Sequence, residues 1–260
     1  LGAVLLGGVR RIGRVAEKLV PLASFGYVAL CLLVVGLRRQ ALAPAVRSIF
    51  RGAFSPKAVT GGAIFSWVRC LGVGCSRGIF TNEAGMGTAS MAYSAAPGES
   101  VEKGILGLME VFTDTIVICT LTALTIICSG VDITFGHKVG SELITAAFAT
   151  MFGQKFASVF VALALMLFAF TTILGWSLNG SRCEQYLLGL RAAKVYQFVF
   201  IIMIVVGSVS SLDFVWNIAD TLNGLMAIPN FIALFALSPV IFKITRDYFR
   251  GVDLASAKHE

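Results

Sequence analysis

Charged residues are scarce in this chain. Asp, Glu, Lys and Arg make up 13% of its 260 residues, against about a quarter in soluble globular domains. That excludes an ordinary water-solvated surface, and with it any count of domains from length alone. Histidine is limited to His137 and His259, both in polar stretches. No apolar segment therefore carries a His beside a nucleophile. The six cysteines, at 31, 70, 75, 119, 128 and 183, include no CxxC spacing. Most lie in apolar segments, where Cys acts as a small hydrophobe. Neither a disulfide framework nor a metal site built on them is expected. A secretory signal is lacking too. The opening "LGAVLLGGVRRIGR" places its basic residues after a short apolar run, the wrong layout for a signal peptide. It reads as the stump of a helix whose start lies outside the chain.

What the chain has instead is apolar length. Hydrophobic residues make up 57% and the mean hydropathy is +0.85. The useful count is of membrane spans, each needing roughly 20 apolar residues. Residues 19–37 form one span, with Pro21 in its first turn. Residues 105–130 form a clear second. Residues 156–178, 196–212 and 216–242 supply three more. A basic loop is expected at 10–18, an amphipathic surface helix around 44–54, a short helix at 141–152, and a polar tail from Lys243. The net charge of +7 invites a nucleic-acid reading. The basic residues, however, sit in short groups between apolar segments, the pattern of membrane flanks. The expected partner is the lipid bilayer, not nucleic acid.

Lys and Arg counts orient the spans. One set of connections carries Arg10, Arg11, Arg14, Lys18, Lys103, Arg182, Arg191, Lys194, Lys243, Arg246, Arg250 and Lys258. The other carries Arg38, Arg39, Arg47, Arg51, Lys57, Lys138 and Lys155. The larger set is assigned to the cytoplasm. This requires residues 60–96 to cross the membrane once.

That crossing contains "SRGIFTNEAGMGTASMAYSAA", residues 76–96. Asn82 and Glu83 stand side by side, followed by Gly85 and Gly87. A carboxylate at mid-bilayer costs roughly 2.5 kcal/mol or more, and each Gly weakens a helix by about 1 kcal/mol relative to Ala. Broken backbone at membrane depth is tolerated only where protein or a water-filled cavity receives it. The segment therefore reads as two half-helices joined near 81–87. Freed N–H groups at the start of the second half suit an anionic group, and freed carbonyls at the end of the first suit a cation. The alternative is a packing face, since "GMGTASMAYSAA" is rich in the small residues that let helices approach closely.

A second polar spot is "LFAFTTILGWSLNG", residues 167–180. Phe168, Thr171 and Thr172 share one helix face. Two hydroxyls and a loosened carbonyl suit a hard monovalent cation. The alternative is that both threonines bond back to their own helix. Trp176, one turn beyond Thr172, either walls a pocket or packs as a core aromatic. Glu110 and Asp114 lie at i and i+4 inside a span. Paired carboxylates suggest acid–base work, but no nucleophile joins them, so pairing with Arg69, Arg77 or hydroxyls, or a place near the cytoplasmic mouth, is expected. Asp220 and Asn223 read as buried polar residues with gate or packing roles. An enzyme is not expected.

The residues also resemble a family. "RGIFTNEAGMGTA" (77–89) is similar to the RG-(L/V)-F-S-NEAG-(M/L)-GSAP signature of the alanine or glycine:cation symporters, also called sodium:alanine symporters. "EKLVPLASFGYV" resembles that family's VPFMA-Y helix, and "VFTDTIVICTLTAL" its VF-DT-CT-TA helix. "LFAFTTILGW" and "WNIADTLNGLMAIPNFIAL" resemble its last two core regions. The resemblance covers essentially the whole chain. It implies an all-α membrane protein with the inverted-repeat, leucine-transporter-like (APC-type) helical bundle, incomplete at the N-terminus. On that plan residues 1–260 are one transmembrane domain, from the end of core helix four through core helix ten. Residues 60–96 are broken helix six, 131–155 an outer loop, and 243–260 a cytoplasmic tail.

The resemblance further implies sodium-coupled symport of small neutral amino acids, alanine or glycine, across the cytoplasmic membrane. Phe80, Thr81, Asn82, Gly85 and Met86 would line the substrate pocket, with Thr172 and Trp176 opposite. Thr171, Thr172 and the Phe168 carbonyl would help hold sodium. Two departures stand out. Ser90 occupies a position where the family usually has proline, and residues 177–181 replace a more aromatic run. The family's first core helix, with its GNIAGV break, is absent. The missing N-terminal helices of the same protein are thus an expected partner, and the 260 residues alone are expected to be inactive. A non-transporting membrane relic of such a symporter is the other reading.

Overall fold

The computed structural model describes residues 9–54, 63–94, 96–133 and 140–251. Regular structure among the described residues is helical. In chain order the elements are α1 Val9–Leu37, α2 Arg39–Phe54, α3 Ala63–Thr81, α4 Thr88–Tyr93 and α5 Ser100–Phe112. A π-helical turn, Thr113–Ile118, leads into α6 Cys119–Ser129. Then come α7 Glu142–Phe152, α8 Gln154–Leu188, α9 Leu190–Val209 and α10 Leu212–Phe249. Five stretches are long and apolar enough to cross a membrane: Glu17–Leu37, Ser100–Ser129, Gln154–Leu188, Leu190–Val209 and Leu212–Phe249. Their large side chains are widely exposed, as with Phe25 at 76% and Phe235 at 78%. Apolar surface of that extent suits lipid or further protein, not water.

Helix ends differ from the sequence expectation. Residues 10–18, expected as a loop, are the first turns of α1. Arg, Ala, Glu and Lys are strong helix formers, and only Gly13 weakens the run. Likewise α2 begins at Arg39, earlier than 44. It follows α1 almost directly, with the Arg38 N–H donating to Val34 O at 3.0 Å and the Ala41 N–H to Arg38 O at 2.8 Å. Helix α8 runs on to Leu188, and α10 runs from Leu212 to Phe249, taking in Lys243. Hydropathy marks where a bilayer would start and stop. Helical hydrogen bonding does not end there, because it is satisfied within the chain on either side. His137, His259 and residues 252–260 of the expected tail lie outside the described residues.

The chain divides into two compact units, residues 1–68 with 116–206 and residues 69–115 with 207–260. In the first, α1 packs against α6 and α8, and α7 against α6 and α8. Cys31 and Val34 of α1, Ile144, Ala147 and Phe148 of α7, and Ala157 and Val161 of α8 form its core. Phe148 is fully buried. Its ring meets Tyr27 edge-on at 6.2 Å and Phe160 at 5.8 Å, the T-shaped arrangement that aromatic quadrupoles favour. The Tyr27 and Thr122 hydroxyls hydrogen-bond at 2.8 Å, tying α1 to α6. A second cluster sets Leu174 of α8 among Phe170, Phe200, Ile201 and Ile204. Gly153, at φ +82°, turns α7 sharply into α8, and its N–H donates to Ala149 O at 3.1 Å.

In the second unit α5 and α10 pack together. Helix α5 starts where the Glu99 N–H donates to the Glu102 carboxylate at 3.0 Å, satisfying one donor of the helix start.

Phe148→Ala is expected to cost about 3 kcal/mol, because a fully buried ring leaves a cavity between three helices. The check is the thermal unfolding midpoint in detergent; an unchanged midpoint would show that this cluster does not hold the unit.

Candidate functional site

Helix α3 ends at Thr81 and α4 begins at Thr88, so the interruption covers residues 82–87. The Asn82 N–H still reaches Gly78 O at 3.0 Å. After it the ladder loses its register: Ala84 N–H donates to Ile79 O at 3.1 Å, and Met86 N–H to Glu83 O at 3.2 Å. Three residues take the left-handed backbone: Glu83 at φ +50°, Gly85 at +77° and Gly87 at +80°. Glycine does so without a Cβ penalty. Glu83 bears about 1–2 kcal/mol for it, and among the described residues its carboxylate has no hydrogen-bond or ion-pair partner.

Helix α10 explains why both glycines are needed. A Cβ on Gly85 would lie 2.9 Å from the Phe231 ring, and one on Gly87 3.0 Å from the Asn230 amide oxygen. Asn230 and Phe231 are seated directly on the turn. The Asn230 Nδ2 donates to the Gly85 carbonyl at 2.9 Å, and the Ser90 hydroxyl donates to the Gly87 carbonyl at 2.7 Å. Met86 is buried at 5% exposure and Thr88 at 1%. On the other side Asn82 meets the π turn. Its Nδ2 lies 2.9 Å and its Oδ1 3.0 Å from the Thr115 hydroxyl. Three buried atoms in this unit have no partner among the described residues: the Thr88 hydroxyl, one Asp114 carboxylate oxygen and the Asn223 amide nitrogen.

Arg77, one turn before Phe80, pairs with Asp220 of α10 at 2.6 Å. The Ser76 hydroxyl donates to the same carboxylate at 3.1 Å. The guanidinium stacks 3.9 Å from the Trp216 ring centre, and Trp216 meets Phe80 edge-on at 4.9 Å. Of the partners expected for the Glu110/Asp114 pair, Arg77 serves Asp220 instead, while Glu110 finds a hydroxyl as expected. One expectation is corrected. Asp220 is not buried, its side chain being 39% exposed, although Asn223 is, at 8%. The geometric reason is that Arg77 and Asp220 face each other across α3 and α10. Glu110 instead accepts a hydrogen bond from the Tyr93 hydroxyl of α4. The Arg69 side chain, the other expected partner, lies outside the described residues.

Of the nine residues expected in the sites, Phe80, Thr81, Asn82, Gly85 and Met86 fall in the second unit, and Phe168, Thr171, Thr172 and Trp176 in the first. The first group is gathered on one interrupted segment. Within the second, the Thr171 hydroxyl points to Phe168 O at 2.9 Å and Leu167 O at 3.2 Å. Its hydrogen is thus engaged within its own helix, while the oxygen retains lone pairs. Thr172 is exposed and Trp176 half-buried. Sequence reasoning missed Asn230, Phe231 and Thr115. An asparagine directly after Pro229 in an apolar helix was the available signal for the first.

The model of the sodium:alanine symporter family matches residues 1–259. The chain belongs to the sodium:alanine symporter family. Among curated proteins it is 36% identical over 252 residues to the sodium/alanine symporter AgcS of Methanococcus maripaludis, covering 95% of this chain and 54% of that one. It is 36% identical over 251 residues to the probable sodium/glutamine symporter GlnT of Bacillus subtilis, covering 96% and 52%. An uncharacterized transporter of Haemophilus influenzae is 38% identical over 256 residues, covering 98% and 56%. The chain spans about half the length of these relatives. In this symporter-family chain the family signature and the interrupted segment coincide.

Asn230→Ala leaves the Gly85 carbonyl without its donor. It is expected to lower stability by about 1–2 kcal/mol, measured as the thermal midpoint in detergent. Gly85→Ala is expected to lose at least a similar amount, through left-handed strain and contact with the Phe231 ring, and shrinking Phe231 to Leu should restore only part of it.

Proposed function

We propose that the complete protein is a sodium-coupled symporter of small neutral amino acids, alanine or glycine, in the cytoplasmic membrane. Family membership and the sodium/alanine and sodium/glutamine relatives support the class of transport. The single observation that carries the site is the interruption at 82–87, where the backbone opens between α3 and α4 beside the Asn82 amide.

In this reading Asn82 hydrogen-bonds the amino-acid backbone, and the turn at Gly85 and Met86 lets it approach the protein main chain. Phe80 and Thr81 complete that wall. Thr172 and Trp176 are assigned to the substrate, and Phe168 O, Thr171 and Thr172 to the sodium ion, on the family resemblance alone. The sodium gradient supplies the work, and sodium binding stabilises the geometry that accepts substrate. The architecture is the leucine-transporter-like inverted repeat, whose halves rock about the site. The connections richer in Lys and Arg face the cytoplasm. As the chain is about half the length of its relatives, the 260 residues alone are proposed not to transport.

The test is labelled-alanine uptake by the complete protein in proteoliposomes, with sodium or potassium outside. Uptake is expected with sodium, lost with potassium and competed by glycine. Asn82→Ala is expected to lower it by about tenfold or more while inserting normally. Equal uptake under both cations, or none of either amino acid, would sink the proposal.

A further inference from the structure

Several helical threonines in this protein share a habit. The hydroxyls of Thr113, Thr122, Thr125, Thr145, Thr171 and Thr221 each turn back to a carbonyl three or four residues earlier, at 2.7–3.2 Å. That is the ordinary fate of a threonine in an apolar helix. Thr115 departs from it. Its hydroxyl faces the amide of Asn82, lying 2.9 Å from Nδ2 and 3.0 Å from Oδ1.

Thr115 is also the third residue of the π-helical turn Thr113–Ile118. A π turn carries one extra residue and loosens the local hydrogen-bond ladder, and such turns recur at functional sites. The three polar residues that open it are disposed differently. Thr113 donates to Met109 O at 2.8 Å. Asp114 has one carboxylate oxygen buried without a partner among the described residues. Thr115 alone reaches out of its helix to the interruption.

The donor arithmetic decides what this contact leaves over. An asparagine amide has two N–H donors and two acceptor lone pairs, whereas a hydroxyl has one donor and can accept. Thr115 engages at most one group of each kind. One N–H and one lone pair of Asn82 remain, on an amide whose rotation is now fixed.

We propose that Thr115 is a positioning residue for solute recognition. Presented by the π turn, its hydroxyl occupies the paired edge of the Asn82 amide and fixes its rotation, so that the remaining N–H and the remaining lone pair, on opposite sides of the amide, each keep one direction. A zwitterionic amino acid offers a partner for either one, its carboxylate accepting from the N–H or its ammonium donating to the lone pair. This rests on the reading of Asn82 as a solute-binding residue.

The experiment compares Thr115→Val, which keeps the shape and loses the hydroxyl, with Thr115→Ser, which keeps the hydroxyl. In the complete protein in proteoliposomes, Thr115→Val is expected to raise the KM for alanine about five- to tenfold, the effect of one lost hydrogen bond. The maximal rate should change much less. Thr115→Ser should restore KM to near wild type. An unchanged KM in Thr115→Val, in a protein whose uptake Asn82→Ala abolishes, overturns the inference and leaves the symporter reading intact. A second measurement needs no transport. In detergent, Thr115→Val and Asn82→Ala should each lower the thermal midpoint, and the double variant should fall no further than the larger single shift. Fully additive shifts would mean that the two side chains do not interact, which overturns the inference whatever the substrate.

Discussion

A bilayer interior offers no water to an unpaired amide or carbonyl, and each such group costs several kcal/mol there. The protein groups around residues 82–87 supply such partners within the chain. Between α3 and α4, side chains take up carbonyls of the interrupted turn. Asn230 takes the Gly85 carbonyl and Ser90 the Gly87 carbonyl. Gly85 and Gly87 leave room for the Phe231 ring and the Asn230 amide to sit on the turn. The interruption is therefore a built element with its own partners, and α10 is one of its walls.

Charge follows the same logic. Arg77 and Asp220, each on a largely apolar helix, neutralise one another at 2.6 Å. The guanidinium also lies on the face of Trp216, a contact that stabilises a cation further where water is scarce. Trp216 in turn abuts Phe80, so the ion pair is continuous with the wall of the candidate site. Among the described residues, aromatic edges and small residues hold the core of the other unit, and the Tyr27–Thr122 bond is a polar tie between its helices. Packing is the expected source of helix association where the surroundings are as apolar as the side chains.

Much of the helical layout was legible because apolar length is a local property. The five long apolar helices each overlap a span read from hydropathy. Their ends were not legible. Residues 10–18 and 243–249 are polar, yet helical, since polarity reports solvent and not hydrogen bonding. The candidate site was legible in part. "NEAGMG" announced loosened backbone beside polar side chains, and family membership agrees with that signature. The partners stayed open where several were chemically equivalent, although a hydroxyl was among those expected for Glu110. Arg77 could serve any of three carboxylates, and only their placement singled out Asp220.

What the sequence determined by itself was the set of apolar helices and the position of the interruption. Both arise from residues within a few turns of one another: long apolar runs in the first case, two glycines after an Asn-Glu pair in the second. What only the tertiary structure decided was who closes the interruption. Asn230 is 145 positions from Gly85 and Thr115 is 33 from Asn82. Local propensity has no term for a partner that distant. The pairing is set by which helix faces pack together, and packing depends on the shapes of whole helices.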